Sequence, residues 1–90
     1  MAEHTEETLL EFPCDFAIKA MGESSDEFDA IVVEIVRRHV EELHEGAVAS
    51  KQSSGGKFTS VTVTIRAHSK AQLDAIYQEL SDHQLIKYVL

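Results

Sequence analysis

Residues 55–72 read Gly55-Gly56-Lys57-Phe58-Thr59-Ser60-Val61-Thr62-Val63-Thr64-Ile65-Arg66-Ala67-His68-Ser69-Lys70-Ala71-Gln72. From Phe58 to Ala67 the chain alternates. Val61, Val63, Ile65 and Ala67 point one way, and Ser60, Thr62, Thr64 and Arg66 point the other. A period of two marks a strand buried on one face. Gly55-Gly56 supplies the positive φ that a tight turn needs, so residues 53–57 join this strand to a weaker one over Ala47–Gln52. On the other side, Ser69 and Gln72 have capping-box spacing, in which each side chain satisfies a free backbone donor at a helix start. The helix they open carries Leu73, Ile76, Tyr77 and Leu80 on one stripe and ends near Asp82. Residues 85–90 read as a last short strand.

Upstream, Pro13–Met21 alternates as a first strand, with Pro13 tolerated because it opens the strand and Gly22 ending it. Ser24 and Glu27 form another capping box, and the helix predicted over Ser24–Leu43 carries Phe28, Ile31, Val32, Ile35, Val36, Val40 and Leu43 at three- and four-residue spacing. The order is strand, helix, strand, strand, helix, strand. With right-handed crossovers this predicts an α+β, ferredoxin-like βαββαβ two-layer sandwich. Two helices cover one face of a four-stranded antiparallel sheet. The open face is expected to carry Asp15, Ala17, Lys19, Ser60, Thr62, Thr64 and Arg66, polar and small.

Ninety residues make one domain. Residues 1–8 are polar, acidic and aperiodic and are expected to form a mobile N-terminal arm, with the single domain spanning residues 9–90. The net charge is −8, and Glu3, Glu6, Glu7 and Glu11 contribute with no Lys or Arg among them. An acidic domain repels a phosphate backbone, so no nucleic-acid partner is expected. No apolar run approaches the roughly 20 residues that span a bilayer, and residues 1–12 lack the basic start and apolar core of a secretory signal. A cytoplasmic location with no membrane partner is therefore expected. The single Cys14 cannot form an internal disulfide.

No catalytic, metal or cofactor site is expected. Base stacking on a sheet needs aromatics on the open face, and in this reading only Phe58, at a strand end, offers one. Gly56-Lys57 lacks the first glycine of a phosphate loop and lies between strands. His4, His39, His44, His68 and His83 show no i, i+4 pair, so no two ligands share a helix face. Cys14 reads as a small core hydrophobe, the alternative being a reactive thiol with nothing evident to activate it. Lys19 and Arg66 read either as a solvated face, with Asp15 as a cross-strand partner, or as an anion or interface contact. Gly22-Glu23-Ser24 reads either as a plain capped turn or as a helix start that receives an anion.

Leu9-Leu10-Glu11-Phe12-Pro13, then Phe16, then Lys19-Ala20-Met21-Gly22, resemble the opening of the YbeD-like family of small bacterial proteins. Val33-Glu34-Ile35-Val36-Arg37-Arg38-His39, Ser60-Val61, Tyr77-Gln78-Glu79-Leu80 and Val89-Leu90 continue the resemblance in order, over nearly the whole chain. The resemblance implies an ACT-like, ferredoxin-like fold and no catalytic residues. It also implies the connection with lipoate metabolism suggested for that family. In ACT domains an effector commonly sits at the loop after the first strand, which here places candidate ligand contacts at Gly22, Glu23, Ser24 and Ser25. Glu23 departs from that role, since its carboxylate would repel an amino-acid carboxylate. The expectation is a non-enzymatic regulatory or adaptor domain that associates with itself or another protein. Lys19, Thr62, Thr64 and Arg66 are its candidate interface. A small-molecule sensor is the alternative.

Overall fold

The structure is a computed structural model that describes residues 11–44 and 46–90. The expected N-terminal arm at residues 1–8 lies outside them. The elements are β1 (Cys14–Glu23), α1 (Phe28–Arg37), β2 (Val48–Gln52), β3 (Phe58–Ala67), α2 (Lys70–Asp82) and β4 (Tyr88–Val89). The sheet order is β2-β3-β1-β4 and every neighbouring pair is antiparallel. β1 and β2 therefore run parallel with β3 between them, and β3 and β4 with β1 between them. These are two interleaved split βαβ units, the ferredoxin-like arrangement.

Alternation decides which side of the sheet is covered. Thr59, Val61, Val63, Ile65 and Ala67 of β3 are buried, as are Ile18, Ala20 and Gly22 of β1. Register places Ile18 beside Val63 and Ala20 beside Val61. Phe28, Val32, Ile35 and Val36 of α1 and Leu73, Ile76 and Leu80 of α2 close over this face. Each large apolar side chain removed from water contributes roughly 1.5–3 kcal/mol before entropy is counted.

α1 is shorter than the sequence predicts, at both ends. Ser24 does not cap it. Its hydroxyl lies 2.7 Å from the buried Thr59 hydroxyl, and α1 starts after Glu27, whose side chain makes no capping bond. A tertiary partner has outcompeted the local capping box. At the other end the chain leaves the helix after Arg37. The His39 carbonyl accepts from Gln72 Nε2 at 2.8 Å, and the His39 ring meets Glu79 at 2.7 Å. Both contacts tie the chain to α2. Val40 and Leu43 still pack against the core, but from outside the helix.

Ser69 caps α2 as its spacing predicts, accepting from the Gln72 N–H at 3.1 Å. The Gln72 side chain instead accepts from the His68 N–H at 2.7 Å. Tyr77 packs edge-on against Phe16, with ring centroids 6.5 Å apart, and its hydroxyl donates to the Leu90 carbonyl at 3.1 Å. The last strand is only Tyr88–Val89. The Lys87 N–H donates to Met21 O and the Leu90 N–H to Lys19 O, both at 2.7 Å, and these extend its attachment to β1.

Two glycines matter for different reasons. Gly56 has φ +73° in the β2–β3 turn, which suits a residue without a Cβ. Gly22 does not end β1; it lies inside the strand, where a Cβ would collide with the Leu85 carbonyl and the Phe28 ring.

Candidate functional site

Among the described residues, both helices lie on one face of the sheet and leave the second face open, and the strand register gives its layout. At one end Asp15 pairs with Arg66, side by side at 3.1 Å. Next come Ala17 and Thr64, then Lys19 with Thr62 and Ala49. The following row runs Tyr88–Met21–Ser60–Lys51 across all four strands, and Glu23 beside Phe58 closes the face. Lys19, Thr62, Thr64 and Arg66 thus share one surface, as the alternation predicts. The Arg66–Asp15 pair is exposed on both sides, so solvent screens it and its worth is small.

The far end of this face is not the polar, small surface that the sequence suggests. Phe58 is 40% exposed, Tyr88 68% and Leu90 67%. Met21 lies between Phe58 and Tyr88, and the three line an open cleft of about 520 Å³ together with Gly22, Ser53 and Lys87. Lys57 Nζ stands 5.7 Å from the centre of the Phe58 ring, in cation–π range. An apolar floor with cations at its edge suits an amphipathic ligand or a side chain from a partner.

The loop after β1 offers less than expected as a ligand loop. Gly22 and Glu23 belong to the strand, and Ser24 is committed to Thr59, with its N–H donating to Lys57 O at 2.8 Å. Ser25 is exposed and its carbonyl accepts from the Phe28 N–H at 3.4 Å. Only Gly22 of these four candidate residues touches the cleft.

A second polar cluster lies on the helical layer. Arg38 pairs with Glu34 at 3.1 Å and with Glu79, which also holds the His39 ring. The His39 hydrogen bond, aided by the Arg38 charge and opposed by partial burial, holds the Glu79 carboxyl below the usual range. The same carboxylates, Glu34 first, raise the Arg38 guanidinium above its ordinary value. These groups satisfy one another and clamp α1 to α2. Among the described residues no group of His, Cys, Asp and Glu is placed to hold a metal ion. Cys14 is half-buried and packs against the core. No helix of the described residues is long and apolar enough to cross a membrane.

Sequence reasoning missed Met21, Tyr88 and Leu90. Alternation in β1 already put Met21 on the open side. The parity of β4 was open, because two residues carry no period. The pairing of Tyr88 with Met21 settles it.

The comparisons agree with this architecture and with the resemblance. A family profile described as "Protein of unknown function (DUF493)" matches residues 7–90. A UPF0250 protein of Paraburkholderia phytofirmans is 49% identical over 84 residues, covering 93% of this chain and 94% of that one. One from Janthinobacterium sp. is 46% identical over 84 residues, covering 93% and 92%, and one from Nitrosomonas europaea is 41% identical over 86 residues, covering 96% and 99%. The solution structure of protein HP0495 from H. pylori superimposes with a TM-score of 0.65 over 90% of this chain and 85% of that one, at 16% identity, a likeness of fold. Profile, relatives and topology converge, and the chain belongs to the DUF493 family, the UPF0250 proteins that include the YbeD-like group.

Proposed function

We propose that this chain is a non-enzymatic regulatory or adaptor domain that acts by association, with a second copy or another protein, through its open sheet face. The observation that carries this reading is the exposure of Phe58, Tyr88 and Leu90 on that uncovered face. Aromatic side chains beside an apolar cleft are typical anchors of protein interfaces. A small domain also has little buried surface of its own, so association adds stability it otherwise lacks. Thr62, Thr64, Lys19 and Arg66 form the polar continuation of the surface. The test is light scattering across a concentration series, together with affinity capture from a bacterial lysate. Both are run on the native chain and on Thr62→Arg, Thr64→Glu. The double variant should keep its fold and lose association, because unmatched interface charges are costly to desolvate. A strictly monomeric native chain that captures nothing contradicts the reading.

The cleft favours one other reading, a metabolite sensor next to the end of β1. A ligand at 100 times its Kd would add about 2.7 kcal/mol to stability. Lipoate, whose metabolism the family resemblance implies, and the amino acids are the first compounds to screen by thermal shift. A broad screen without a shift removes this alternative.

A further inference from the structure

We propose that the partner of the open face presents a short acidic segment carrying one large apolar side chain, which seats between Met21, Phe58 and Tyr88. The inference rests on the association reading and names the chemistry of its occupant.

Charge complementarity carries it. The chain is acidic overall, at −8, but its charges are segregated. On the helical layer Arg38 is neutralised by Glu34 and Glu79, and Lys70 pairs with Asp74, which leaves Arg37 as the cation there without an ion pair among the described residues. Around the cleft, Lys51, Lys57 and Lys87 form no ion pair among the described residues. Lys51 shares the open-face row with Met21, Lys87 lines the cleft, and Lys57 lies over the Phe58 ring. Glu23, beside Phe58, is the carboxylate at this end. Among the described residues, unpaired positive charge is thus concentrated on the rim of the apolar cleft, three lysines there against Arg37 on the helical layer. An incoming carboxylate there gains an opposite charge without displacing an existing pair. An apolar side chain between them is removed from water by Met21 and the two rings.

Single-stranded nucleic acid also stacks on aromatics and follows cations. It fits less well. Its affinity scales with the number of phosphates neutralised, by roughly 0.7 per phosphate in the salt slope of a single strand. Beyond the three lysines and Lys19, its strand would meet Glu23, the already paired Arg66–Asp15, and the acidic bulk of the domain. A short acidic segment matches the rim and stops there.

The test uses the full chain, isotopically labelled, titrated with four probes. These are the peptide Glu-Asp-Glu-Trp-Glu-Asp-Glu, the same peptide with Ala for Trp, its counterpart with Lys at every acidic position, and an oligouridylate. The Trp peptide should saturate and shift the amides of Met21, Phe58 and Tyr88. Replacing Trp by Ala should weaken binding about tenfold or more, the usual scale for a buried aromatic anchor. Lys51→Glu, Lys87→Glu should abolish binding with the melting temperature retained, while Arg37→Glu on α1 should leave it intact. Equal binding by the Trp and Ala peptides, tighter binding of the Lys peptide or oligouridylate, or shifts confined to the helices would each overturn the proposal. If the Trp peptide leaves the spectrum unmoved while Thr62→Arg, Thr64→Glu still abolishes association, the acidic-partner inference fails alone. If association is also indifferent to that variant, the reading of the face fails with it.

Discussion

Tyr88 stands directly opposite Met21 in the β4–β1 pairing, and both side chains project from the face of the sheet opposite α1 and α2. A two-residue strand therefore controls what the open face offers. Had β4 paired one residue out of step, Val89 would face solvent and Tyr88 the core, because one step of register reverses every side chain.

Gly22 should be intolerant of even one methyl group. Its backbone is ordinary strand, so the constraint is space: a Cβ would strike the Leu85 carbonyl and the Phe28 ring. Gly22→Ala should lower stability by about 1–3 kcal/mol, the usual cost of overpacking. Urea unfolding measures it. An unchanged midpoint would mean that the approach of the segment before β4 to β1 relaxes freely.

Val36 is fully buried under α1, whereas Ala30 of the same helix is exposed. Val36→Asp buries an unpaired charge and should cost several kcal/mol, enough to unfold much of a small domain. Ala30→Asp introduces the same charge on the outer face and should stay within about 0.5 kcal/mol. Thermal melts of the two variants decide between them, and equal melting temperatures would contradict the face assignment.

Glu79 gives the fold an acid limb. Its carboxyl is held low by His39 first and Arg38 second, so the unfolded state binds its proton more readily than the folded state does. The stability this contributes is fully present above the unfolded value of about 4.3 and is lost as pH falls through the lower folded value. Native chain and Glu79→Gln should differ in melting temperature near neutrality and converge as pH drops below about 4. A gap that stays constant into acid would show that the carboxylate charge contributes nothing.

Where periodicity was long, the sequence revealed the fold. β3 runs over Phe58–Ala67 with the predicted face assignment, and Ser69 caps α2 as its spacing indicates. Local signals failed where a distant partner offered a better bond. The Ser24 hydroxyl is taken by Thr59, 35 positions away, and the His39 carbonyl by Gln72, 33 away, so neither predicted end of α1 holds. The polar half of the candidate site was legible from alternation, which put Lys19, Thr62, Thr64 and Arg66 on one face. Its apolar half was not, because Phe58, Met21 and Tyr88 come together only through pairings between three strands.

The central claim is that the uncovered sheet face is where this domain meets its partner. Site-specific photo-crosslinking in the bacterial cell tests it most directly. A photoreactive phenylalanine analogue is placed at Thr64 on the open face or at Ala75 on the exposed side of α2. The account predicts a discrete protein adduct, to a second copy or to another protein, from Thr64 and none from Ala75. An adduct from Ala75 with none from Thr64 would move the interface to the helices and contradict the claim.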